Sequence, residues 1–159
     1  MGKITPYLWY DSEAEEAAQL YVSVFKNSKI TSVKHYERAE VPDAPEGKVM
    51  AVEFEVDGQP LVGFNGGPHF KFTEAISLMV SCSSQAEVDE YWNKLTADGG
   101  EESQCGWLKD KFGLSWQIVP TRLMELLSDP DPERAGRATA AMLEMHKIDI
   151  AALERAANG

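Results

Sequence analysis

The stretch VMAVEFEVDGQPLVGFN, residues 49–65, decides the fold. Met50, Val52, Phe54 and Val56 alternate with Ala51, Glu53 and Glu55, the period-two pattern of a strand with one buried face. Asp57-Gly58 is a hairpin-turn signal, and QPLVGFN reads as the returning strand. The same plan recurs as CGWLKDKFGLSWQIVP, residues 105–120, where Gly113 opens a last apolar strand as Gly58 does in the first copy.

Upstream of each hairpin lies a helix. Ala14, Ala17, Ala18, Tyr21, Val24 and Phe25 fall on one face at helical spacing, and Val88, Tyr91, Trp92 and Leu95 do the same in the second copy. Ser12 with Glu15, and Ser84 with Glu87, read as S-x-x-E capping boxes. Glu13 and Glu16 suit the positive end of the first helix dipole. Short apolar runs precede the helices, TPYLWY in one copy and AISLMVSC in the other, and both read as strands, as does ITSVKHY after the first helix. The chain therefore reads βαβββ twice, a duplication weak in identity but consistent in order. The predicted class is α+β, with modules at about 1–68 and 74–120 making one domain over 1–120.

Two segments stand outside the repeat. ERAEVPDAPEGK, Glu37 to Lys48, is acidic and Pro-containing, a solvated insertion and a candidate lid; the second copy has only a tight connection at Asp98-Gly99-Gly100. Residues 121–159 read as a helical extension. Thr121 is placed to cap RLMELLS, Asp131-Pro132 to start a helix with Asp at the cap and Pro at the first position, and Asp149 to cap IAALERAA. Ala135, Ala138, Met142 and Met145 share a face, so the extension is expected to pack on the domain, over a cavity mouth or against a partner.

With 43% hydrophobic and 26% charged residues the 159-residue chain has ordinary globular composition. A net charge of −11 argues against a nucleic-acid partner, which needs a basic face. No apolar run approaches a membrane span, so a cytoplasmic protein with no membrane partner is expected. Cys82 and Cys105, the two cysteines, make neither a disulfide framework nor a CxxC zinc or thioredoxin pair.

Three strings carry a family resemblance: ITPYLWYDSEAEEAAQLYVSVFKNS, GFNGGPHFKFTEAIS and QCGWLKDKFGLSWQIVP. Together with the paired βαβββ units, they make the chain similar to the vicinal oxygen chelate superfamily of glyoxalase I, bleomycin-resistance proteins and extradiol dioxygenases. More narrowly the chain resembles its PhnB-like subfamily, whose members often carry the name demethylubiquinone 3-methyltransferase domain. The resemblance implies a glyoxalase-like fold, with each module a curved mixed sheet around a concave cavity. It also implies a homodimer.

Metalloenzymes of that superfamily place His, Glu or Gln on the first and last strands of each module. Here those strands offer Thr5, Tyr7 and Trp9, then Ser77, Met79 and Ser81; on the last strands Val62 matches Gln117. Only Gln117 is of ligand type, whereas a catalytic divalent ion typically needs three or more protein ligands, so no metal and no cofactor are expected. His35, His69 and His146 show no HxH or HxxxH spacing. For methyl transfer, the only glycine-rich candidate is Gly63, Gly66 and Gly67 in GFNGGPHF, and it opens no helix. Cys105 has Lys109 and Lys111 nearby but no histidine placed as its base, and Asp110 reads as a charged turn. Binding remains. Trp9, Phe64, Asn65, Trp107 and Gln117 are the candidate lining for a small, flat organic ligand, with Trp116 turned to the helices as core. Two functions stand open: a metal-free ligand-binding protein of the PhnB-like kind, or an enzyme of the superfamily (a lyase, isomerase or methyltransferase).

Overall fold

The computed structural model describes residues 2–37 and 47–159. It divides into two compact units, Met1–Phe72 and Thr73–Gly159. In the first, β1 (Tyr7–Tyr10) leads into α1 (Ala14–Val24), followed by β2 (Lys29–His35), β3 (Val49–Val56) and β4 (Gln59–Asn65). In the second, β5 (Ser77–Cys82) leads into α2 (Gln85–Thr96), then β6 (Glu101–Glu102), β7 (Trp107–Lys109) and β8 (Ser115–Pro120). The two mixed sheets run β1-β4-β3-β2 and β5-β8-β7-β6. In each, the first strand lies parallel to the last, with Trp9 opposite Phe64 and Met79 opposite Gln117, while the other pairs are antiparallel. The α+β class and the βαβββ order are as the sequence predicts.

Strand alternation fills one face of each sheet with apolar side chains, and the helix lies on that face. In the first unit Leu8, Tyr10, Val52, Phe54, Val56 and Leu61 are buried with Ala14, Ala17, Ala18, Tyr21 and Val24 of α1. In the second, Cys82, Leu108, Leu114, Trp116 and Ile118 are buried with Val88, Trp92 and Leu95 of α2. Each large side chain withdrawn from water contributes about 1.5–3 kcal/mol. The ion pairs across the first sheet, Lys29–Glu55 at 3.9 Å and Lys34–Glu53 at 4.0 Å, are partly exposed and contribute at most about 1 kcal/mol each. Apolar packing on the helix therefore holds the sheets.

The predicted Ser12–Glu15 capping box does not form. Helix α1 begins at Ala14, and its first amide donates to Asn65 Oδ1 at 2.8 Å. The end of β4 supplies the cap because parallel pairing sets it beside the end of β1, where the helix starts. Asn65 Nδ2 donates to the Val49 carbonyl at 3.0 Å, so one side chain ties helix, β4 and β3 together. In the second unit Ser84 Oγ does accept from the Glu87 amide at 3.2 Å, while the Glu87 carboxylate reaches one residue further back, to Ser83.

Asp110 also departs from expectation. It is 2% exposed, and its carboxylate accepts from the amides of Phe112 and Leu114 and from Trp116 Nε1 at 2.9 Å. It organises the β7–β8 turn from inside, where a buried carboxylate needs such donors. Trp116 is core, as predicted.

The extension forms α3 (Thr121–Leu127), α4 (Pro132–Leu143) and α5 (Ile150–Asn158). Asp131 and Asp149 cap α4 and α5 as expected. Thr121 is the first residue of α3 and not its cap, because β8 passes straight into the helix through Pro120. Ala138 is buried in the tail core, with Met142 and Met145 packed against it. Most of the predicted lid, residues 38–46, lies outside the described residues; its flanks meet where the Tyr36 amide donates to the Lys48 carbonyl at 2.8 Å. Among the described residues no helix is long and apolar enough to cross a membrane.

Replacing Asn65 by Ala removes a buried cap and a cross-strand tie, and is expected to lower stability by about 1–3 kcal/mol. Asn65→Asp keeps the acceptor for Ala14, loses the donor to Val49, and should cost less. Urea titration of both variants checks the order.

Candidate functional site

In each sheet the face turned away from the helix carries the unusual side chains. The five predicted lining residues fall into two groups, one per unit.

On the first sheet Trp9 and Phe64 sit side by side. Their rings meet edge to face at 5.1 Å, and Phe70 meets Trp9 from another side at 4.9 Å. Trp9 Nε1 donates to the Gly67 carbonyl at 2.9 Å. Gly66 lies under the indole: a Cβ there would come within 2.2 Å of the ring. In GFNGGPHF, Gly66 thus serves close packing under Trp9, Gly67 supplies the carbonyl, and Gly63 lies against Ala14 on the helix side. Tyr7, two residues before Trp9 on the same face, is 69% exposed. Asn65 does not join Trp9 and Phe64. Alternation turns it to the helix side with Leu61 and Gly63, where its amide oxygen and nitrogen are bonded to Ala14 and Val49.

On the second sheet Gln117 stands between Trp107 of β7 and Met79 of β5. Its Nε2 donates to Ser77 Oγ at 2.9 Å. Trp107 is half-buried and Met79 is exposed. Ser115 lies two residues before Gln117, hence on the same face, flanked by Ser77 and Lys109. It is 1% exposed, and its Oγ has no hydrogen-bond partner among the described residues. Strand alternation in the sequence puts Ser115 on the face of Gln117, though it is not among the five candidate lining residues. The signal was its two-residue spacing from Gln117, but its burial could not be read from the chain. Lys109 pairs with Glu74, and their hydrogen bond holds the Glu74 carboxyl below, and the Lys109 ammonium above, their ordinary values.

The two thiols differ. Cys82 is fully buried, and burial, with the charge of Glu87, pushes its pKa up to about 11. Cys105 is half-buried in a turn, with its backbone at φ 58°.

The donor set does not suit a divalent ion. The positions that the family resemblance singles out carry Thr5, Tyr7, Trp9, Ser77, Met79, Ser81, Val62 and Gln117, with no imidazole or carboxylate among them, and the Gln117 carboxamide is already bonded to Ser77. Among the described residues no three His, Cys, Asp or Glu side chains gather as a metal site.

The profile of the 3-demethylubiquinone-9 3-methyltransferase family matches residues 2–119. The chain belongs to this PhnB-like family. A solved PhnB protein from Bacillus cereus is 34% identical, with a TM-score of 0.67, over 75% of this chain and 99% of its own. Protein PA1353 of Pseudomonas aeruginosa shares the fold at 20% identity and a TM-score of 0.63, over 76% of this chain and 98% of its own. FosX, a fosfomycin resistance protein of Listeria monocytogenes solved with Mn(II) and sulfate, shares it at 16% identity and a TM-score of 0.51, over 75% of this chain and 89% of its own. No functionally curated protein matches the chain. These relatives confirm the glyoxalase-like fold and the vicinal oxygen chelate superfamily expected from the sequence. The family profile ends at Val119, so the helical extension of this PhnB-like chain lies beyond it.

Gly66→Ala should displace the Trp9 indole and cost about 1–3 kcal/mol, read as a changed tryptophan emission and a lowered urea midpoint. In the native protein at mildly alkaline pH one thiol should react with a disulfide reagent, Cys105, with Cys82 reacting only on unfolding; Cys105→Ser should abolish the fast phase. Because the folded pKa of Cys82 lies above its ordinary value of 9.0, its contribution to stability is present below pH 9.0 and is lost as pH rises towards 11. A Cys82→Ala variant should lack that alkaline loss in urea titrations.

Proposed function

We propose that this PhnB-like chain binds a small organic ligand without a metal, on the sheet faces turned away from the helices. Trp9 and Phe64 would line the first and Trp107 and Gln117 the second. The observation that carries this reading is the buried Ser115 hydroxyl, without a partner among the described residues, on the same face as the Gln117–Ser77 pair and Trp107. Leaving such a hydroxyl unpaired costs about 1–3 kcal/mol, which a ligand oxygen or nitrogen would offset. Asn65, bonded to helix and strand, leaves the proposed lining, and Ser115 lies beneath that lining, where a ligand reaches it only if the side chains that cover it move aside. Half-buried indoles give a flat ligand apolar surface, and the carboxamide orients it. The donor set described above supports the absence of a metal.

The working form is proposed to be a cytoplasmic homodimer. The exposed Tyr7, Phe70, Ile76 and Met79 support self-association. Residues 1–120 are taken as the domain of paired modules and 121–159 as its extension. A second reading, methyl transfer, rests on the family's description alone.

Titration with a set of aromatic metabolites should quench tryptophan emission for at least one compound. Gln117→Ala should then weaken its binding by roughly tenfold, the loss of a hydrogen bond worth about 1.4 kcal/mol. If no compound perturbs emission and Gln117→Ala equals the parent protein, the ligand site is not there. Elemental analysis should find less than one divalent ion per chain. A stoichiometric ion lost together with binding would overturn the metal-free state. Methyl transfer from S-adenosylmethionine to any bound compound would establish the second reading.

A further inference from the structure

We propose that the extension beyond the family domain is a strap that sets the position of Trp107 beside Gln117, so that a segment outside the matched domain shapes the candidate face of the second sheet. The geometry is that of the second unit alone and does not require that a ligand binds.

The extension has its own core. Leu123, Leu126, Ala138, Ile148, Leu153 and Ala157 gather around Val119. Val119 belongs to β8 and lies two residues after Gln117, so it projects from the same side of the strand. The tail core is therefore built onto one end of the candidate face.

From that core the segment 145–150 is tied on two sides. On one, the Cys105 amide donates to the Met145 carbonyl and the Gly106 amide to the His146 carbonyl, both at 2.8 Å. His146 Nδ1 also lies 2.8 Å from the Ser103 carbonyl. Cys105 and Gly106 both have positive φ, 58° and 85°, and that conformation points their successive amides at the strap. A Cβ on Gly106 would come within 3.0 Å of the Ile118 carbonyl and 3.2 Å of Ile148 Cγ1, so the turn is wedged between β8 and the strap. The next residue is Trp107, which pairs with Gln117. On the other side, Gln85 at the start of α2 makes a two-way bond: its Nε2 donates to the Ile148 carbonyl at 2.9 Å, and its Oε1 accepts from the Ile150 amide at 2.8 Å. Lys147 pairs with Asp89 on the same helix at 2.8 Å. The strap thus carries the position of α2 across to the turn that launches Trp107. Strand β7 is only three residues long, and its partner β6 only two. Trp107 has local bonds as well, its carbonyl accepting from the Ser103 amide at 2.9 Å and its amide donating to the Gln104 carbonyl at 3.0 Å, and the strap's bonds add the tie that fixes where this turn sits.

The test uses full-length protein labelled with 5-fluorotryptophan, the four resonances assigned by single Trp→Phe variants. Gln85→Ala removes both bonds to the strap, and with them the bond from Gln85 Nε2 to Asp89 Oδ1 at 3.0 Å, while every side chain of the turn, the tail core and the candidate face is kept. The expected result is a shift of the Trp107 fluorine resonance with the Trp9 resonance unmoved. Amide exchange at Cys105 and Gly106 should be roughly tenfold faster, and Cys105 should react faster with a thiol reagent. Arg122→Ala, which removes the exposed pairs to Glu125 and Glu154 elsewhere in the tail, should leave the Trp107 resonance in place. An unmoved Trp107 resonance in Gln85→Ala, with or without faster exchange at the turn, would overturn the proposal, because a tail that only adds stability loosens without moving the indole. Should Gln85→Ala fail to fold, Lys147→Ala takes its place under the same criteria.

Discussion

Each half of this protein depends on the parallel pairing of its first strand with its last. A parallel neighbour cannot be reached by a tight turn, so the chain must travel through a helix and two more strands before it returns. That return brings β4 beside β1, and β8 beside β5. The helix made on the way covers one sheet face, and the other face is left to carry Trp9 with Phe64, or Gln117 with Trp107. The same pairing explains why Asn65, at the end of β4, caps a helix that begins just after β1.

The two faces of each sheet do different physical work. The helix side is close-packed and apolar, and its polar groups are satisfied by dedicated partners, as Asp110 is by two backbone amides and the Trp116 indole. The opposite side of the second sheet holds a carboxamide–hydroxyl pair and a buried hydroxyl left over. An unpaired buried group is costly and rare in folded proteins, so its position beside Gln117 and Trp107 distinguishes this face from ordinary surface. The first sheet differs in kind: its aromatic cluster is anchored by a backbone carbonyl and seated on a glycine. Membership of the PhnB-like family accounts for the fold of residues 2–119. It leaves the tail, and the chemistry of these faces, to this chain's own residues.

The repeat was legible because it rests on local periodicity: alternation at residues 50–56, apolar spacing of three and four in the helices, and glycines at matched turns. The caps Asp131, Asp149 and Ser84 were legible for the same reason, since each bonds an amide within three residues. Where the sequence misled, the partner was distant or the environment unexpected. Ser12 looked like a cap, but the cap came from Asn65, 51 residues from Ala14. Asp110 between two lysines looked like surface charge, yet the hairpin folds it inward against Trp116.

The sequence by itself determined the α+β class, the duplicated strand order and the core faces, because these follow from spacing along the chain. Only the tertiary structure decided that Asn65 turns to a helix, that Ser115 is buried with no partner among the described residues, and that the segment 145–150 reaches back to the turn before Trp107. Each of those depends on which segments pack together across tens of residues, and on how much water that packing leaves, neither of which local pattern encodes.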